Sequence, residues 1–247
     1  MAFALALLIG GSLVVLGAGG SIVTMPVLVY AAGLDAHQAA GTSLLVVGLV
    51  ALAGAAAKWS RVHLRTGLFV GAAGMVGAMP GAWLNHAVPA TWILVGFAST
   101  ALLAARQMFG TTVRPPHPPD PTARGLALTL LAGLGLGIAT GFFGVGGGFL
   151  IVPVLTLVVG LDVETATATS LLVIGLNSAA GLIAHAGYGT VDWRTGGEFA
   201  AAALLGGLVA LPLADRLRGP RLQQAFAAVL AMVGLSVLVE SVAQWWA

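Results

Sequence analysis

Apolar residues fill most of the chain in long runs, and polar positions are confined to short clusters between them. No Asp, Glu, Lys or Arg occurs within residues 1–34, 66–105, 125–161 or 222–239. Charge-free runs of this length are the pattern of bilayer-crossing helices, because about 20 helical residues cover the hydrocarbon core. The strict apolar/polar alternation of an outer-membrane β-strand is missing. Spanning helices are predicted over 36–58, 66–84 and 89–108, and again over 163–185, 196–213 and 221–240.

The segment that leads each of these triplets follows another rule. As a single helix, 125–160 would be about 54 Å long against a core of about 30 Å, so it must break. The glycine cluster in "GFFGVGGGFLIVP" is the expected breakpoint, since glycine favours tight backbone and weakens a helix interior by about 1 kcal/mol. In the first half the arms 1–16 and 21–32 would measure about 24 Å and 18 Å, which predicts a re-entrant helical hairpin or two short helices. Pro26 and Pro153 are expected in the first turn of the second arm, where a missing N–H costs little.

The chain is written twice. "GAGGSIVTMPVLVYAAGLDAHQAAGTSLL" at 17–45 aligns with "GVGGGFLIVPVLTLVVGLDVETATATSLL" at 144–172, a constant offset of 127 relating Pro26 to Pro153, Asp35 to Asp162 and Ser43 to Ser170. "RTG" then recurs at Arg65 and Arg194 with an offset of 129. The division is a first repeat at 1–110, a proline-rich cytoplasmic linker at 111–124 and a second repeat at 125–247. A hairpin returns the chain to its starting side and three spans follow, so each half crosses an odd net number of times and the repeats are expected to be inverted. Basic residues favour the same answer, because they accumulate in cytoplasmic loops. Inverted repeats place nine of the ten Lys and Arg on that side, all but Arg194, whereas a parallel arrangement places seven.

Composition narrows the class further. At 59% hydrophobic and 7% charged, the chain is expected to be an all-α polytopic membrane protein of an inner or plasma membrane. Apolar segments continue directly beyond residue 33, so the start reads as mature structure and not as a cleavable signal. Without cysteine there are no disulfides or thiolate metal sites, and the net charge of +2 carries no message.

Broken helices in inverted-repeat transporters aim backbone N–H groups at anionic substrates. The candidate cradles are Gly17, Gly19, Gly20 and Ser21 in the first copy and Gly144, Gly146, Gly147 and Gly148 in the second. Thr42, Ser43, Thr169 and Ser170, two turns into the following helix, carry hydroxyls that either complete this anion site or bond back to their own helix. Asn177, mid-span with only Val50 as its counterpart, needs an interhelical partner or a pathway. Asp35 and Asp162 are expected to cap helices, and Lys58 and His185 to snorkel towards the interface, with Glu198 also near a helix end. No catalytic residue, metal site or cofactor is expected: "GVGGGF" lacks the strand of a dinucleotide fold, HExxH is absent, and Ser178 and His185 stand about 10 Å apart along one helix. No basic surface domain supports nucleic-acid binding.

The two copies of "GxGGxxxxxPxL", each followed by Gly-Leu-Asp and Thr-Ser-Leu-Leu, resemble the sulfite exporter TauE/SafE family along both halves. The resemblance implies a secondary transporter that exports a small inorganic or organic sulfur-containing anion, sulfite or an organosulfonate, by alternating access. An anion channel is the main alternative and an accessory membrane subunit a weaker one. Ala18 and Ser21 depart from the family pattern in the first copy. The bilayer and the anion are the expected partners, and the oligomeric state is not legible in the sequence.

Overall fold

The computed structural model describes residues 2–16, 19–110, 123–144, 148–214, 224, 227–228 and 231–239, and no strand occurs among them. The helices are α1 (Ala2–Leu16), α2 (Gly19–Tyr30), α3 (Ala36–Ala57), α4 (Leu64–Ala87), α5 (Ala90–Gly110), α6 (Ala123–Phe143), α7 (Gly148–Leu157), α8 (Val163–Gly187) and α9 (Trp193–Ala214). Residues 231–239 are also helical. Stretches of α3, α4, α6, α8 and α9 are long and apolar enough to cross a bilayer, which makes this a multi-pass all-α membrane protein. The expected linker lies mostly outside the described residues, as does much of the segment 221–240. Helix α6 already begins at Ala123, so Arg124 belongs to its first turn.

The recurring Gly-Leu-Asp joins one helix to the next. Gly33 and Gly160 adopt φ values of 74° and 86°, which a side chain would resist, and Leu34 N and Leu161 N reach back to Leu28 O and Leu155 O. That bond, reaching six residues back across the left-handed glycine, closes the end of the preceding helix. One residue on, Asp35 accepts from His37 N at 2.9 Å and Gln38 N at 3.0 Å to open α3. Asp162 opens α8 by accepting from Thr165 N at 2.9 Å. Partial burial alone would raise the Asp162 carboxyl pKa, but the bonds from Thr165 outweigh it and hold it below the usual range. Both aspartates are therefore caps, as expected.

The prolines depart from expectation. The second arms start at Gly19 and Gly148, so Pro26 and Pro153 lie inside α2 and α7, beyond the first turn. The glycine break sets where each arm starts, and proline's fixed φ is compatible with helix. The carbonyl four residues earlier loses its partner, a defect that membrane helices tolerate where neighbouring helices cover it.

Helices α3 and α8 form the centre, with most of their length buried, while α6 and α9 bury only a third of theirs. They run antiparallel: Gly41 lies against His185, Gly48 against Ser178 and Gly54 against Leu171. Around them, α4 packs parallel to α6, with Gly133 on Val70, Gly137 on Gly74 and Gly141 on Ala78. Helix α1 packs on α9 in the same register, with Gly10 on Ala203 and Gly207 on Val14. Offsets of 127 and 129 carry the first of these pairings onto the second, so each half lays its first helix against the fourth helix of the other. The outward faces carry large apolar side chains such as Leu131, Ile183, Leu208 and Val209.

Candidate functional site

The candidate residues separate into two ends and a middle. At the end where α3 begins and α4 and α8 finish, Gly144 turns with φ 64° directly against Ala40, and an added Cβ would collide with that residue's backbone. Ser43, fully buried one turn further along α3, donates within its own helix to Ala40 O at 3.0 Å and also contacts Gly144 O. The serine of the first half thus meets the glycine turn of the second. Gly146 and Gly147 lie outside the described residues, and Gly148 begins α7.

At the opposite end Gly17 lies outside the described residues, while Gly19 and Gly20 open α2 and Gly20 packs on Ile9 and Leu13. Ser21 and Ser170 are both fully buried, and Ser170 donates to Thr167 O at 2.8 Å within its own helix. Ala40 and Lys58, which mark the two turns, are 18 residues apart along the chain, about 27 Å of helical rise. The two glycine turns therefore do not meet in one cradle.

Thr42 and Thr169 join the halves. Thr42 Oγ1 accepts from Asp192 N at 2.9 Å and Thr169 Oγ1 accepts from His63 N at 2.9 Å. Asp192 and His63 are equivalent positions, and each also caps the helix that follows: Asp192 accepts from Thr195 N at 3.0 Å and His63 from Thr66 N at 3.4 Å. The backbone N–H and the hydroxyl of Thr195 hold the Asp192 carboxyl below its usual range.

Between the ends, near the middle of α8, Asn177 and Ser178 are fully buried. Among the described residues neither the Asn177 amide nor the Ser178 hydroxyl has a hydrogen-bond partner. Asn177 rests on Gly74 of α4, where a Cβ would strike its amide, and Ser178 rests on Gly48 of α3. A primary amide and a hydroxyl left unpaired at this depth cost free energy unless something polar visits them.

Lys58 and His185 do not simply reach for the interface. His185 is fully buried with Nε2 on Gly141 O at 3.0 Å, and Lys58 Nζ donates to Val14 O at 2.5 Å. Glu198 is exposed and paired with Arg194 at 3.4 Å. Sequence reading passed over His37, Asn85, His86 and Tyr188, which gather around His185. The adjacent Asn85 and His86, midway through the charge-free run 66–105, were the signal available.

The comparisons with known proteins cover almost the whole chain. The model of the family described as "Sulfite exporter TauE/SafE" matches residues 2–237. A "Probable membrane transporter protein" of Xylella fastidiosa (strain 9a5c) is 30% identical over 241 residues, 95% of this chain and 92% of the relative. The "Probable membrane transporter protein YunE" of Bacillus subtilis (strain 168) is 26% identical over 257 residues, 94% of this chain and 93% of the relative. No solved structure matches. With its duplicated glycine-broken segments, its helical membrane fold and a family match over residues 2–237, the chain belongs to the sulfite exporter TauE/SafE family of membrane transporters.

Proposed function

We propose that this protein exports a small sulfur-containing anion, of the sulfite or organosulfonate class, across the bacterial inner membrane by alternating access between two inverted repeats. The observation that carries the reading is the unpartnered Asn177–Ser178 pair in mid-membrane, between glycine turns at opposite ends of the bundle. An amide N–H and a hydroxyl can both donate to an anion without fixing it by a countercharge, so the anion can also leave. The antiparallel contact of α3 with α8, equivalent helices of the two halves, supports inversion.

In this reading the anion enters at one glycine turn, is held by Asn177 and Ser178, and leaves past the other turn. The turns supply backbone N–H groups at the starts of α2 and α7, and Ser43 and Ser170 line the approach to each. With no bidentate arginine clamp at the centre among the described residues, several small oxyanions fit and size discriminates among them.

Flux of radiolabelled sulfite and of small sulfonates from proteoliposomes tests this, with Asn177→Leu as the site variant. Saturable flux is expected in the parent protein. Losing one donor to a charged ligand is worth about 1.5–3 kcal/mol, or about a tenfold to hundredfold loss of affinity. Unchanged affinity in a folded Asn177→Leu protein moves the site elsewhere. Flux that does not saturate favours a channel.

A further inference from the structure

Lys58 and His185 stand at the same offset of 127 that relates Val14 to Gly141, the residues whose carbonyls they bind. Each half therefore holds the carbonyl end of its first helix, beside its glycine turn, on a nitrogen donor at the end of its third. Such a donor suits the unpaired carbonyls of a helix C-terminus. The two donors differ in kind, because an ammonium ordinarily titrates near about pH 10.4 and an imidazole near about 6.5.

His185 is surrounded so that either protonation state is satisfied in place. A carbonyl only accepts, so Nε2 carries a proton in both states and donates it to Gly141 O. In the neutral ring Nδ1 accepts from the Thr190 hydroxyl at 3.3 Å. In the charged ring Nδ1–H donates to the same oxygen, and the hydroxyl turns its own proton to His185 O at 3.1 Å. Rotation of one hydroxyl is the whole rearrangement.

Two more imidazoles adjoin it. The His86 ring lies 5.4 Å from that of His185 and 5.7 Å from that of His37, on which it stacks. His86 Nε2 is buried and has no hydrogen-bond partner among the described residues. Asn85 Nδ2 donates to Phe142 O at 2.6 Å, which turns the amide so that Oδ1 accepts from His37 Nδ1 at 3.0 Å. The remaining His37 nitrogen, Nε2, is then the one open to a proton. Charges this close oppose one another, so the first proton disfavours a second.

Among the described residues the groups facing the cluster are few. Helix α3 contributes His37 and its exposed cap Asp35, and α4 contributes His86. The described part of α6 presents no titratable side chain beside Gly141. The connection into α9 brings Tyr188, its ring 4.0 Å from that of His86, and Asp192, which is bound by Thr195. On α9, Arg194 and Glu198 pair in solvent. Among the described residues no three such side chains converge as metal ligands would.

We propose that His185, with His86 and His37, binds one proton, and that this proton is the ion coupled to passage of the substrate at the Gly144 turn. Protonation keeps the bond to Gly141 O and adds a positive charge beside the turn where an anion passes. Release restores the neutral ring. The coupling half of this proposal rests on the anion-transport reading above, whereas the proton site stands on the cluster alone.

Two variants isolate the titration. His185→Gln keeps an N–H for Gly141 O but cannot become charged, and His185→Lys copies the Lys58 arrangement and stays charged. Circular dichroism and a thermal scan check that both fold. In the full protein in nanodiscs, histidine 15N spectra between about pH 8 and pH 4 should show His185 passing from the Nε2–H form to the doubly protonated form. The His37 and His86 signals should move in the same interval and lose that coupling in both variants. A His185 signal that never gains the second proton, or neighbours that titrate unchanged in the variants, overturns the proton site.

Coupling is read in proteoliposomes holding radiolabelled methanesulfonate, which has no proton of its own to carry, with a pH-sensitive dye in the lumen. The expected result is proton movement in fixed ratio to methanesulfonate in the parent protein and loss of that proton movement in both variants. Methanesulfonate flux without proton movement, or with proton movement retained in the variants, overturns coupling and leaves the anion reading standing. Absence of methanesulfonate, sulfite and other sulfonate flux in the parent overturns the anion reading and with it the coupling, while the spectra still decide the proton site.

Discussion

The hydroxyl oxygens of Thr42 and Thr169 each take the backbone N–H of a residue in the other half, Asp192 and His63. Both threonines are fully buried, so replacing either by the near-isosteric valine leaves a half-buried N–H facing a methyl group. A stranded donor of that kind costs about 1–3 kcal/mol. Thr42→Val and Thr169→Val are therefore each expected to lower the thermal transition in detergent, whereas Thr42→Ser and Thr169→Ser, which keep the oxygen, are expected to lower it much less. Equal transitions for the valine and serine variants would show that the two bonds contribute nothing. That a hydroxyl was wanted at these positions was legible from its repetition at one offset, but the donors it serves were not, because they arrive from about a hundred or more residues away.

At the scale of elements, the tightest interfaces are those where glycine lets backbones touch. A Cβ at Gly137 would collide with Gly74 O, and one at Gly10 with Ala203 O, whereas one at Gly135, on the same helix as Gly137, meets nothing within 4 Å. Gly137→Ala should force α4 and α6 apart and destabilise the protein, and Gly10→Ala should do the same to α1 and α9. Gly135→Ala should be neutral, or stabilising by up to about 1 kcal/mol through helix propensity. Thermal scans of the three variants separate these outcomes, and a stable Gly137→Ala protein would contradict the close packing. The glycines of α4, at 67, 71, 74, 77 and 81, and those of α6, at 133, 137 and 141, repeat at the small-residue spacing used in membrane helix pairs. Sequence alone could mark both stripes as interfaces; it could not say that they face each other.

Across the whole molecule, the antiparallel run of α3 and α8 puts Ser60, just beyond the end of α3, and Ala186, at the end of α8, at opposite ends of the bundle. Both residues are exposed, and the parent chain has no cysteine to interfere with labelling. If the halves are inverted in the membrane, Ala186→Cys should react with an impermeant maleimide added to intact cells, and Ser60→Cys should react only after the membrane is opened. Labelling of both from the same face would rule the inverted arrangement out. The same geometry separates the two glycine turns, with the buried Asn177 and Ser178 between them along α8.

What the sequence by itself determined is what a bilayer and a single helix demand locally. Apolar length makes spans, glycine breaks the leading arms, Gly-Leu-Asp ends one helix and caps the next, and the offset of 127 reveals the duplication. These depend on neighbours along the chain and on the solvent around it. Only the tertiary structure decided that the glycine turns lie at opposite ends, that prolines fall inside α2 and α7, and that His185 is bound to Gly141 O beside His86 and His37. Each of those outcomes depends on which helix faces which, and at what register. Hydrophobic patterning in a membrane leaves that choice open, because lipid is as apolar as the helix faces, and close packing between distant small residues makes it.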